Sequence, residues 1–433
     1  MYFYNPASAP DYIPVPHLRQ LQLDRLQAIV RRAFDRVALF RRRMEEKGLN
    51  PSSVRTLEDL SRIPFTVKAD LRDTYPRGLF ASPMEEVVRL HASSGTTGKP
   101  IVVAYTKEDL DVWTSSMVRC LAAAGLGKGD VVQNAYGYGL FTGGLGAHYG
   151  IEALGACVIP ISGGNTERQL MVLQDFGVTA ICCTPSYLVH LIEAARDRNI
   201  DFSRLRVGIF GAEPWSEAMR KRIQDDTGIA AHDIYGLSEI VGPGVAIECK
   251  ERKGLHLLED HYYPEIVDPV TGDRVPDGTE GELVLTTLSK QAMPMIRYRT
   301  RDITALIPEP CACGRTLRRM RRISRRSDDM FIIRGINIFP SQVETAFLEV
   351  EGTMPHYQIV LTREKGLDEM EVQVEVTPEV FSDKDGALPA TQHKLERAIE
   401  RVTGIRTRVR VVAPRSLERS EGKAKRVNDL RAM

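Results

Sequence analysis

An α/β chain in two parts is what this sequence predicts. A large N-terminal domain has mainly parallel sheets covered by helices plus a small β-rich section, and a small α+β domain follows. Three observations predict this. From about residue 107 to 210, short apolar strands alternate with helical segments, the rhythm of strands paired in parallel through helical crossovers. From about residue 256 to 307 the texture turns to β-rich pieces with turn signals such as Pro276-Asp277-Gly278, read as an antiparallel or barrel-like attachment. Past Asp328 a separate pattern of strands and helices begins, about as long as the smallest chains that fold alone. The expected domains are therefore 1–327 and 328–433, in a chain of 433 residues that is too long for one compact core.

Between residues 17 and 47, Leu18, Leu21, Leu26, Ile29, Val30, Phe34, Val37 and Phe40 recur at helical spacing, and Gly48 and Pro51 supply the stop. The many arginines of this segment form its solvated face. Strand character covers residues 87–91 and 101–105. Helical character over 107–124 precedes a strand at 131–135. Strands at 156–161, 180–184 and 206–210 follow, with helices at 167–176 and 187–198 between them. In the C-terminal part, strands at 330–333, 358–362, 369–376 and 406–412 accompany helices at 341–348 and 391–402.

A net charge of +1 gives no electrostatic reason for a nucleic-acid or membrane partner. No apolar run reaches the roughly 18 residues of a spanning helix. The first residues, Met1-Tyr2-Phe3-Tyr4-Asn5-Pro6, lack a basic region followed by an apolar core, so no secretory signal is expected. Seven cysteines without an even framework fit a reducing compartment, the cytoplasm by default. The oligomeric state stays open, a homodimer included.

Between the first two strand signals lies Ser93-Ser94-Gly95-Thr96-Thr97-Gly98-Lys99-Pro100. Its glycines let backbone approach a ligand, and its hydroxyls and one lysine are donors suited to a polyphosphate. The spacing is not that of a P-loop, which needs four residues between its first Gly and the Gly-Lys pair. In open parallel sheets, ligands bind beyond the carboxyl ends of the strands. The loops placed there are residues 136–144, 211–215 and 233–239.

A second constellation is Cys311-Ala312-Cys313-Gly314, with Cys249 and His256 upstream. Two thiols from one turn plus a Cys and a His would fill the tetrahedral shell of a structural Zn²⁺. His261 is the alternative fourth ligand. Cys157, Cys182 and Cys183 sit in apolar strands and read as core.

Several stretches together resemble the motifs of one family, the adenylate-forming acyl–coenzyme A synthetases, and most of all its aryl-acid branch. They are residues 93–100, 136–144, 211–215, 235–239, 298–302, 326–329 with 335–340, and 419–426, in the family's order. The resemblance implies an enzyme that makes an acyl-adenylate from ATP and Mg²⁺, releases pyrophosphate, and passes the acyl group to coenzyme A with loss of AMP. It implies that Ser93, Ser94, Gly95, Thr96, Thr97, Gly98 and Lys99 hold the β- and γ-phosphates. Gly211, Ala212, Glu213, Pro214, Asp233, Ile234, Tyr235, Gly236 and Ser238 surround the nucleotide, with Tyr235 stacked on adenine and Asp233 reading its edge. Glu239 is the implied Mg²⁺ acid, and Asp302 with Arg326 takes the ribose.

Lys423 matches the family's catalytic lysine, with Lys425 its nearest competitor. An ammonium there bridges the acyl carboxylate and the α-phosphate as the anhydride forms. Lys423 lies on the small domain, which in the family rotates about a hinge, here Asp328, to bring Gly335 toward the pantetheine tunnel. Arg325 replaces a glycine common at the position before Arg326. Tyr136, Phe141 and Ala147 fall in the segment that lines the aromatic-acid pocket. The reading is an ATP-dependent ligase of an aromatic acid, phenylacetate or a close relative, acting on small molecules. The alternatives are an adenylating enzyme that hands its acyl group to a carrier-protein thiol, and a non-catalytic nucleotide-binding protein.

Overall fold

Nine strands form the central sheet of the large body, in the order Leu306–Ile307, Arg319–Met320, Leu255–Leu257, Gly242–Glu248, Ala230–Leu237, Val207–Phe210, Ala180–Cys183, Val131–Asn134, Cys157–Ile159. This is a computed structural model, and it describes residues 5–93, 100–196, 198, 200–333, 336–364, 367–382, 386–418 and 426–431. The five strands from Ala230–Leu237 to Cys157–Ile159 are parallel, and the remaining pairings are antiparallel. The parallel strands Ala180–Cys183 and Val207–Phe210 are buried at every position, so they read as unbroken apolar runs. Helices Thr166–Asp175, Pro185–Arg196 and Glu217–Thr227 supply the core packed against them.

The β-rich section is an open antiparallel sheet in the order Tyr262–Val267, Gly281–Thr287, Tyr298–Thr304, Arg325–Arg326, not a barrel. Its expected first piece, at residue 256, joins the central sheet instead, because Leu255–Leu257 pairs with Gly242–Glu248. The long helix expected over 17–47 is two, Val15–Arg36 and Ala38–Glu46, parted at Val37, which adopts an extended φ of −111°. The apolar period runs through the break, so periodicity alone does not reveal it. The helix Glu217–Thr227 was not foreseen; it carries six charged residues among eleven and a weak apolar stripe.

From Phe331 onward the chain builds its own core around Phe347, Tyr357, Ile359, Val372, Leu395 and Ile399. The hairpin Thr353–Glu364 and Leu367–Val376 is flanked in parallel by Arg408–Val412 and Val427–Asp429. Helices Pro340–Leu348 and Ala387–Thr403 cover it. Val427–Asp429 escaped the sequence reading because three residues are too few for a period. Among the described residues no helix is long and apolar enough to cross a membrane.

Candidate active site and metal centre

Tyr298–Thr304 is the strand on which two acidic centres converge. At its start, Tyr298 lies within hydrogen-bonding reach of the Glu239 carboxylate. Near its end, Asp302 accepts a hydrogen bond from Tyr235 Oη at 2.6 Å and faces Arg326 Nη1 at 2.6 Å. The strand is bulged opposite Glu282 and Val284, with Arg301 at a φ of 68°. A bulge re-aims the side chains beside it, and here Asp302 turns toward Tyr235. Tyr235 sits on Ala230–Leu237, next to the carboxyl end of the parallel strand Val207–Phe210. That is the edge of an open sheet where ligands collect.

Glycines let these segments approach. A Cβ on Gly236 would lie 1.9 Å from Gly242 O, and one on Gly211 would lie 2.4 Å from Ile234 O. Ala212 follows in the left-handed region at φ 71°, an uncommon conformation for a residue with a side chain. The Glu213 carboxylate receives the Ser186 backbone N–H at 2.9 Å. Asp233 is met by Arg322 Nε at 3.1 Å, and burial raises its pKa despite that partner. Arg322 also lies 4.5 Å over the Trp215 ring. Ser238 Oγ contacts Thr142 Oγ1 at 3.1 Å, and Ile234 is packed in the core.

Two cations around Glu239, Lys68 and Lys290, escaped the sequence reading. Lys68 Nζ stands 3.8 Å from the buried Glu239 carboxylate. Lys290 is buried, donates to Glu239 O at 3.1 Å and lies 4.8 Å over the Tyr105 ring. Burial lowers its pKa to about 8, against the raising pull of Asp109 and Glu239. Lys68 is aimed by its neighbours: Asp70 accepts the Val67 N–H at 2.8 Å and a two-pronged contact from Arg43 at 2.7 and 2.6 Å. Thr66 is stitched to Arg297 and Arg299 by backbone bonds of 3.0 Å.

Of the other predicted residues, Ser93 donates its N–H to Ile101 O at 3.0 Å, just ahead of the strand Val102–Tyr105. Ser94, Gly95, Thr96, Thr97, Gly98 and Lys99 lie outside the described residues, as do Gly335, Lys423 and Lys425. Tyr136 is buried with its hydroxyl 3.4 Å from Ile209 O, and Ala147 packs in the same core. Phe141, just ahead of the helix Thr142–Leu154, is 50% exposed. Asp328 is held by Arg326 at 3.0 and 3.1 Å. Pro214 and Asp328 line a cavity of about 1160 Å³ between the large body and the C-terminal unit.

The ligating atoms of Cys249, His256, Cys311 and Cys313 all lie within 4.8 Å of one another. Cys249 Sγ is 3.7 Å from Cys311 Sγ, and Cys313 Sγ is 3.3 Å from His256 Nε2. His256 Nδ1 meets Leu317 O at 3.2 Å, which leaves Nε2 as the ligand atom. Hydrogen bonds from Cys249 and then His256 hold the Cys313 thiol well below its ordinary pKa, while Cys249 is raised by its bond to Cys313 and by burial. Three thiols and one imidazole nitrogen are the donor set of a closed tetrahedral zinc shell. His261 is elsewhere, with Nδ1 on Ser289 Oγ at 2.8 Å and Nε2 3.2 Å from Asp260.

A family model described as AMP-binding enzyme matches residues 10–293, and one described as AMP-binding enzyme C-terminal domain matches residues 335–431. The chain belongs to this family of AMP-binding enzymes. Within it, the chain is 52% identical over 435 residues to a phenylacetate-coenzyme A ligase of Thermus thermophilus, covering 97% of this chain and 98% of the relative. It is 51% identical over 428 residues to the phenylacetate-coenzyme A ligase of Escherichia coli, covering 96% of each. Among solved structures, a 2-hydroxyisobutyryl-CoA ligase in its postadenylation state with an acyl-AMP superposes with a TM-score of 0.92 at 30% identity, over 100% of this chain and 95% of that one. The same ligase in the thioesterification state, with its adenylate and CoA, gives 0.72 at 30% identity, over 99% and 94%.

Proposed function

We propose that this protein ligates an aromatic carboxylic acid, phenylacetate or a close relative, to coenzyme A through an acyl-adenylate, releasing pyrophosphate and AMP. The observation that carries the reading is the joining of Glu239 and Asp302 to one strand, through Tyr298 and directly. Four residues of strand span roughly 13 Å, the scale of a nucleotide from ribose to terminal phosphate. The relatives' names support the acid class and the acceptor.

Bringing a carboxylate anion to a phosphate anion is opposed by charge, so neutralisation and alignment supply most of the acceleration. Asp302, steadied by Arg326 and Tyr235, accepts the ribose hydroxyls. Tyr235 presents a ring whose tilt is set by its own bond to Asp302. Lys68 and Lys290 place positive charge beside Glu239. The buried Glu239 carboxylate suits Mg²⁺, a hard cation that takes one or two carboxylates plus phosphate oxygens and would neutralise the pyrophosphate. Lys423 then serves the carboxyl and α-phosphate oxygens. The residues 1–327 form the nucleotide- and acyl-binding domain, and 328–433 turn as a unit about Asp328. Tyr136, Phe141 and Ala147 contribute to the aryl pocket.

The Cys249, His256, Cys311 and Cys313 cluster holds a structural Zn²⁺ in this reading, since all four positions come from the protein. Pyrophosphate release over a panel of aromatic and aliphatic acids, followed by thioester analysis with free coenzyme A, tests the function. Aromatic acids should release pyrophosphate and yield thioester. Pyrophosphate without thioester would instead favour a carrier-protein acceptor.

A further inference from the structure

His356 and Glu193 join the two parts of the molecule. Glu193 belongs to the helix Pro185–Arg196 of the large body, and His356 to the strand Thr353–Glu364 of the C-terminal unit. His356 Nε2 lies 3.2 and 3.1 Å from the two Glu193 carboxylate oxygens. Both side chains are buried, at 8% and 7% exposure. Arg222, from the helix Glu217–Thr227, stands 3.5 Å from the same carboxylate. The large body thus supplies a carboxylate already oriented by a guanidinium, and the C-terminal unit supplies one ring nitrogen. Next along the strand, Tyr357 turns inward, donating to Glu344 Oε2 at 3.2 Å beneath the Arg426 guanidinium, 4.6 Å from the ring. Arg426 O accepts the Ile359 N–H at 2.8 Å, so the strand that carries His356 also holds Arg426.

The arrangement holding this contact is one of several that a related ligase adopts. Over the whole chain the match is 0.92 to the postadenylation state of the 2-hydroxyisobutyryl-CoA ligase, and 0.72 both to its thioesterification state and to its open conformation. A contact between the two parts, made in one arrangement, biases the equilibrium between arrangements by its own free energy.

We propose that His356 and Glu193 are positioning residues that latch the C-terminal unit in the adenylating arrangement, and so set the balance between the two half-reactions. The inference rests on the ligase reading above. It predicts opposite effects on the two steps, which a general loss of stability does not.

The test uses the full chain with His356→Ala, Glu193→Gln and His356→Gln. Acid-dependent exchange of pyrophosphate into ATP should fall about tenfold in His356→Ala, the worth of one charge-assisted hydrogen bond. Thioester formation from supplied phenylacetyl-adenylate and coenzyme A should hold or rise. His356→Gln, which keeps an N–H donor, should recover much of the exchange. An equal fall in both steps, or no change in either, overturns the latch. Hydrogen exchange of the backbone over Pro185–Arg196 reads the geometry without catalysis, and it should quicken several-fold in His356→Ala and Glu193→Gln. Unchanged exchange there also overturns the latch. Quickened exchange in a protein whose wild type makes no thioester would uphold the latch and remove the ligase reading.

Discussion

Asp302 and Arg326 are cross-strand partners whose side chains meet at 2.6 Å where the β-rich sheet ends. The same guanidinium turns its other edge to Asp328, at 3.0 Å. One arginine thereby connects the acid proposed to hold the ribose with the residue proposed as the hinge. Burial opposes the Arg326 charge, but Asp302 and Asp328 outweigh it and raise its pKa.

Replacing Asp302 with Asn keeps the shape and removes the charge that both Arg326 and a ribose would use. A charge-assisted hydrogen bond is worth about 1.5–3 kcal/mol, so kcat/KM for ATP should fall roughly 10- to 100-fold. Steady-state kinetics with ATP as the varied substrate check this. A fall confined to the aromatic acid would mean that Asp302 serves another ligand.

Lys423→Ala should lower acid-dependent pyrophosphate release by about 100-fold or more, the cost of losing one oriented group at a developing charge. Thioester formation from supplied acyl-adenylate should survive, and so should the unfolding temperature. If Lys425→Ala shows the defect and Lys423→Ala does not, the catalytic role belongs to Lys425.

Purified protein should carry about one zinc per chain, measured by elemental analysis. Cys311→Ser should lose it and lower the unfolding temperature by about 5 °C or more, because the metal's binding energy is folding energy. His261→Gln should retain the metal. Zinc content near zero in protein prepared without chelator would remove the site.

His232 is buried with Nδ1 3.3 Å from Glu248 O, and its pKa falls to about 4, chiefly through burial and then through Arg252. Its folded pKa is below the unfolded value of about 6.5. Above that pH both states are neutral and the group has no effect on stability. As pH falls from about 6.5 toward 4, the unfolded chain takes up the proton and the folded chain does not, so stability declines, by roughly 3 kcal/mol at most. Denaturant unfolding across this window should show a slope that is shallower in His232→Gln. Equal slopes in both proteins would mean that His232 titrates normally.

Much of this protein was legible in its residues. The parallel core announced itself because Ala180–Cys183 and Val207–Phe210, covered on both faces, must be apolar throughout. The start of a second unit after Asp328 was visible as a change of pattern, and the Cys311/Cys313 turn as a spacing. These are local signals, set by the environment each residue meets along its own segment. Long-range meetings leave no such mark. Lys68 comes to Glu239, Tyr235 to Asp302, Arg322 to Asp233 and His356 to Glu193 across 171, 67, 89 and 163 positions of chain. The separation of His256 from His261 was likewise made in three dimensions, since they follow Cys249 by 7 and 12 positions and only the His256 ring turns toward the thiols. Sequence determined which segments become strands, helices and loops, because propensity and burial act over a few neighbours. Tertiary structure alone decided which charges share a cleft, because that depends on how twisted sheets and a separate unit pack together.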